Sequence, residues 1–138
     1  MKKHAATLLI LALVALPGLV SAQTRTVIKA DVPFDFVVNG KTMPAGECTI
    51  QARGDGTTYL WISSGNQGLF VTPHSAESAT PSEDNMLVFH RYGDRYFLSA
   101  ISRKGEKLGY ELPASKLEVE LRAQNVARSD VTLIASAK

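Results

Sequence analysis

Residues 87–99, LVFHRYGDRYFLS, crowd one histidine, two arginines, one aspartate and two tyrosines into a single short stretch. With His90 as a general base and Arg91 or Arg95 as an anion clamp, this is the inventory of a small hydrolase, isomerase or cyclase. Tyr92 and Tyr96, with Trp61 upstream, add the aromatic surface of a ligand site. What these side chains can do together depends on the element that carries them.

That element is predicted to be a hairpin. Taking Gly93-Asp94 as a two-residue turn, where glycine accepts the positive φ required, pairs Tyr92 with Arg95, Arg91 with Tyr96, His90 with Phe97 and Phe89 with Leu98. Alternate rungs share a face. Leu87, Phe89, Leu98 and Ala100 then lie on one side, with Arg91 and Tyr96 near the turn. Met86, Val88, Phe97, Ser99 and Ile101 lie on the other, with His90, Tyr92 and Arg95. The polar groups therefore divide between two faces, and Arg91 against Tyr96 is an ordinary cross-strand contact. His90, opposite Phe97, is expected as a partly buried histidine with one hydrogen-bond partner, and is only a weak catalytic candidate.

Other chemistry finds less support. Beyond His90, only His74 follows the leader, and neither lies in the HxH or HExxH spacing that places two metal ligands on one face. No metal and no cofactor is expected. Ser63, Ser64 and Ser99 lack a GxSxG setting. Cys48 alternates with polar neighbours as a core thiol, and the phosphate-cradling loop is missing because GDGTT has no lysine. Asp35 with Glu47, or Glu118 with Glu120, could form carboxylate pairs, but all four read as solvated charges.

Met1–Ala22 has the pattern of a secretory signal peptide: Lys2 and Lys3, an apolar run from Ala5 to Leu16, a Pro17-Gly18 break, and small residues at Val20-Ser21-Ala22. The apolar run is well short of the ~20 residues needed to span a bilayer, and no cysteine follows the cut to carry a lipid. Cleavage would take the 138-residue chain to 116, enough for one domain, residues 23–138. It would also lower the basic residues from 15 to 13 against 13 acidic ones, for no net charge. Such a balance excludes polyanion binding of the kind that neutralises nucleic-acid phosphates. A lone cysteine, Cys48, excludes an internal disulfide.

Along the rest of the chain, short alternating segments separated by Gly, Pro, Asn and Asp predict strands over 26–32, 34–38, 47–53, 57–63, 69–72, 86–92, 95–101, 107–112 and 131–135. Residues 75–84, SAESATPSED, read as an exposed loop. Residues 115–124 alternate as a strand would. However, Ser115 with Glu118 fits a capping box, and Lys116/Glu120 and Glu118/Arg122 are opposite charges at i,i+4, so a short helix is favoured. Connections this short rule out parallel crossover units. The expectation is an all-β domain, an antiparallel sandwich or small barrel of about nine strands with one short helix near the C-terminus.

VPFDFVVNGKTMPAGECTI (residues 32–50) followed by LVFHRYGDRYFLS resembles a group of small exported proteins of unknown function from soil bacteria. The resemblance covers about half of the mature chain and implies an exported β domain with a turn at Pro44-Ala45-Gly46. That group usually carries an aromatic residue where this sequence has Cys48, which speaks against a catalytic role for the thiol.

Strand 57–63 and both strands of the hairpin carry apolar or aromatic residues on both faces. A strand buried on one side only does not have this composition. The leading expectation is thus a non-enzymatic binding or interaction module, secreted or periplasmic, that holds a small apolar ligand or docks on an envelope protein. His90, Tyr92, Arg95, Arg91, Tyr96 and Trp61 are its candidate contacts. The alternatives are the His90 enzyme and a structural envelope component.

Overall fold

Alternation in the sequence becomes a nearly closed, barrel-like sheet in the computed structural model, which describes residues 27–54 and 58–137. The predicted leader, Met1–Ala22, lies outside the described residues. The strands are β1 (Val27–Val32), β2 (Phe36–Val38), β3 (Lys41–Met43), β4 (Gly46–Arg53), β5 (Tyr59–Ser64), β6 (Gln67–Val71), β7 (His74–Glu77), β8 (Asn85–Tyr92), β9 (Arg95–Ser102), β10 (Leu108–Glu111) and β11 (Arg128–Ala137). Among the described residues one helix, α1 (Lys116–Ala123), precedes the last strand.

The sheet runs in the order β3-β2-β9-β8-β11-β1-β4-β5-β6, with β10 joining β9 to β7 at one end. Every pairing is antiparallel except β2 with β9, which meet at Val37 and Phe97. The two ends of this path approach each other. Lys41 Nζ on β3 donates to the Gly68 carbonyl on β6 (3.1 Å), and Ser64 Oγ donates to the Pro44 carbonyl (2.7 Å).

Inside lie Val32, Phe36, Met43, Leu60, Ile62, Leu87, Phe89 and Ile101, all but inaccessible. Each such side chain contributes about 1.5–3 kcal/mol by leaving water, and with no disulfide they supply most of the fold's stability. Cys48 is among them. Burial pushes its thiol pKa up to about 12, so it stays protonated and inert at neutral pH.

One contact ties the residue before β2 to the turn before β4. Asp35 Oδ1 accepts from the Ala45 backbone N–H (2.8 Å), pinning the Pro44-Ala45-Gly46 turn, where Gly46 takes a φ of +132°. Asn39 and Gly40, with φ of +47° and +81°, make the tight turn between β2 and β3.

All nine predicted strands form, and β3 and β7 are additional. The predicted loop at 75–84 is corrected in part, because Ser75–Glu77 belong to β7 and pair with β10 from Glu111↔His74 to Leu108↔Glu77. Both extra strands are three or four residues long, and most of their side chains are exposed. They are held by backbone ladders, which leave no apolar alternation to read.

In the β8–β9 hairpin the predicted pairing holds from Tyr92↔Arg95 to Phe89↔Leu98. A bulge then inserts Ser99, so that Val88 faces Ala100 and Leu87 faces Ile101. Ala100 and Ile101 therefore exchange the faces expected of them, and Ile101 enters the interior.

Candidate functional site

Outside the barrel, α1 lies on the face of β8 and β9 opposite the core. Ser115 caps it with extended backbone (φ −67°, ψ 159°), its Oγ accepting from the Glu118 N–H at 3.3 Å. In a capping box the Glu118 side chain would turn back to the cap. Here it turns down onto the sheet instead, and only 3% of the residue is exposed. The expectation of a solvated Glu118 is therefore corrected.

One carboxylate oxygen, Glu118 Oε1, gathers three donors. They are His90 Nδ1 (2.5 Å), Tyr92 Oη (3.1 Å) and Arg122 Nη2 (3.1 Å). Arg122 Nε also donates to Tyr92 Oη at 3.1 Å. That hydrogen bond, followed by the Glu118 charge, raises the Arg122 pKa above its ordinary value, outweighing the desolvation that lowers it. An ionised Glu118 can only accept, so it is His90 Nδ1 that donates to it; in the neutral imidazole Nε2 is then an acceptor, in the imidazolium a second donor. Ser99 Oγ and that Nε2 share a hydrogen bond at 3.0 Å. Phe97 and Tyr92 fill the space below, edge to face at 5.7 Å.

The resulting chain, Ser99–His90–Glu118, has the hydrogen-bonded order of a nucleophile, general base and orienting carboxylate. Its surroundings are less suited to catalysis. The Ser99 carbonyl accepts from the Leu112 N–H at 2.8 Å, which ties it to the connection leading into α1. A neighbouring cleft of about 350 Å³ reaches only the rim of the cluster, at Tyr92 and Arg122.

Of the six candidate contacts named from sequence, only His90 and Tyr92 meet here. Arg91 and Tyr96 lie on the opposite face, with the Arg91 guanidinium 5.5 Å from the Tyr96 ring centre and Phe34 stacked on that ring at 3.7 Å. Arg95 lines a separate cleft of about 230 Å³ with Asp35, Asp94, Tyr96 and Leu117. Trp61 is several strands away on the outer face of β5, its ring 4.6 Å from that of Phe70. Neither arginine shares a cleft with His90.

Glu118, Arg122 and Ser99 were not singled out as a group. The Glu118/Arg122 spacing signalled the helix, but nothing local signals that Glu118 faces a histidine 28 positions earlier. No group of three or more His, Cys, Asp or Glu side chains able to hold a metal occurs among the described residues. Comparison with protein families, with curated proteins and with solved structures gives no match to this chain.

Proposed function

We propose that the protein is an exported binding or interaction module, acting in the periplasm or the medium, whose contact surface is the outer face of β4, β5 and β6. Two regions of the sheet are apolar or aromatic on both sides. On β8 and β9 the second side is covered by α1. On β5 and β6 the second side is left open among the described residues, with Tyr59 44% and Phe70 55% exposed. That contrast carries the reading, since exposed aromatic patches mark contact surfaces. The barrel interior is filled by its own side chains, so a ligand has its best access from outside.

The experiment is to replace Trp61 and Phe70 with serine in the exporting host and isolate the protein by native mass spectrometry. The expected outcome is an unchanged melting temperature with loss of whatever molecule the wild type retains. Equal retention by the double variant sinks the proposal.

A second reading has one observation in its favour, the hydrogen-bonded order Ser99–His90–Glu118 through the two ring nitrogens. It makes the protein a small hydrolase with Ser99 as nucleophile. Incubation with a fluorophosphonate separates the two readings: a covalent adduct on Ser99, absent from Ser99→Ala, selects the enzyme. No adduct leaves the cluster as the clasp that holds α1.

A further inference from the structure

We infer that a cavity at one end of the sheet binds a linear polyamine, at a site separate from the contact surface proposed above. β7, β10, β9 and β8 lie side by side in that order, and Glu77, Leu108, Ser102 and Asn85 stand at the same end of them. To reach β8 from β7, residues 78–84 must pass the two strands between, a distance of about 14 Å at ~4.8 Å per spacing. They run beside the β9–β10 connection and are tied to it. The Ser78 N–H donates to the Lys107 carbonyl (2.9 Å), the Ser82 N–H to the Glu106 carbonyl (3.1 Å) and the Gly105 N–H to the Ser82 carbonyl (2.8 Å). The Lys104 N–H donates to Asn85 Oδ1 at 3.0 Å.

Between these connections and the strands lies a cavity of about 590 Å³, a size typical of small-molecule sites. Neither side fills it. The 78–84 connection contributes Ser78, Thr80 and Ser82, and the strands contribute Ala76, Ala100 and Gly109, all of them small. A β-carbon on residue 109 would fall 2.8 Å from the Ile101 carbonyl oxygen, so the approach of β10 to β9 itself requires glycine there.

The charge of the lining selects the occupant. Glu77, Glu83, Asp84 and Glu106 line the cavity against one cation, Lys107, in a chain whose formal net charge is +2. Glu106 is paired with Arg103, and the other three carboxylates have no ion-pair partner among the described residues. Nor do three of them come together closely enough to hold a metal ion. A cation with its charge at one point does not match this arrangement, whereas one with its charges spread along a chain does. A polyamine carries ammonium groups joined by methylene segments, and Met86 and Leu108 offer those segments apolar surface. Each contact to an exposed carboxylate is screened by water and salt, so binding depends on several acting together.

The exported protein is titrated with spermine by calorimetry, with calcium as the point-charge control. Expected is saturable one-to-one binding of spermine that weakens as salt is raised, and none of calcium over the same range. The variant Glu77→Gln/Glu83→Gln/Asp84→Asn should bind about tenfold more weakly or worse. Thr80→Leu and Ala76→Leu, which fill the cavity from its two sides with every carboxylate in place, should weaken binding to a similar degree at unchanged melting temperature. No saturable binding of spermine up to millimolar concentration overturns the inference, as does equal affinity for calcium. So does a loss confined to the charge variant, because the carboxylates would then act as plain surface charge without the cavity. Trp61→Ser/Phe70→Ser should bind spermine like the wild type, so this site and the contact surface on β4–β6 stand or fall separately.

Discussion

Phe89 and Phe97 sit on the two strands of one hairpin and are 0% and 2% exposed, yet they are buried by different means. Phe89 points into the barrel and meets Phe34 and Phe36 edge-on at 5.1 and 5.5 Å, in a core supplied by most of the strands. Phe97 points outward and is covered by α1, whose inner face carries a carboxylate. An isolated helix of eight residues is far below the length that holds itself together in water. The interior therefore depends on the whole sheet, and the outer patch on the docking of one short element.

Phe89→Ala should have the largest effect, about 3–5 kcal/mol, since the lost transfer energy and the cavity add. Chemical denaturation should show a lower midpoint for the whole molecule. Glu118→Ala is expected to cost less, about 2–3 kcal/mol, as it strands the buried ends of His90 and Tyr92. Arg122 is nearly half exposed, so its share is screened and counts for little. Hydrogen exchange sharpens the contrast: protection should fall across residues 115–125 in Glu118→Ala while β1, β4 and β5 keep theirs. Uniform loss over both regions would mean that patch and barrel form one cooperative unit.

The two regions were unequally legible in the sequence for a physical reason. Barrel residues follow the two-residue period of a half-buried strand, so Phe36, Ile50, Leu60, Ile62 and Leu87 were readable one segment at a time. The Ser99 bulge was not, because no glycine marks it. The clasp was hidden more deeply. Glu118 joins His90 and Tyr92 across 28 and 26 positions. A buried carboxylate has the same local pattern as a solvated one until its partners are known. The helix itself was readable from Ser115 and the i,i+4 charges, and its docking face was not: the apolar residues Leu117, Val119 and Leu121 alternate as in a strand, and Val119 ends up exposed.

Cys48 tests the interior through pH. Its thiol loses a proton near pH 9 when unfolded and near 12 when folded. Below pH 9 both states are protonated and the contribution to stability is fully present. As pH rises from 9 to 12, the unfolded chain sheds the proton first, and stability falls by about 1.4 kcal/mol per unit. Cys48→Val should flatten that part of the alkaline slope, read as unfolding free energy against pH. A slope unchanged by the substitution would mean that the site admits water.

Ser115→Ala is expected to be the mildest change, about 1 kcal/mol, the usual cost of losing an N-cap acceptor. Its value lies in combination with Glu118→Ala. Ser115 Oγ holds the N–H of the very residue whose side chain clasps the sheet, so cap and clasp act on one turn of helix. Once Glu118 is gone and α1 has come away, the cap has no docked helix left to stabilise. The double variant should therefore lose at least ~0.5 kcal/mol less than the two single losses added together. Strict additivity in a denaturation cycle would show that α1 stays on the sheet without its carboxylate, with Phe97 and Tyr92 rather than Glu118 holding it there.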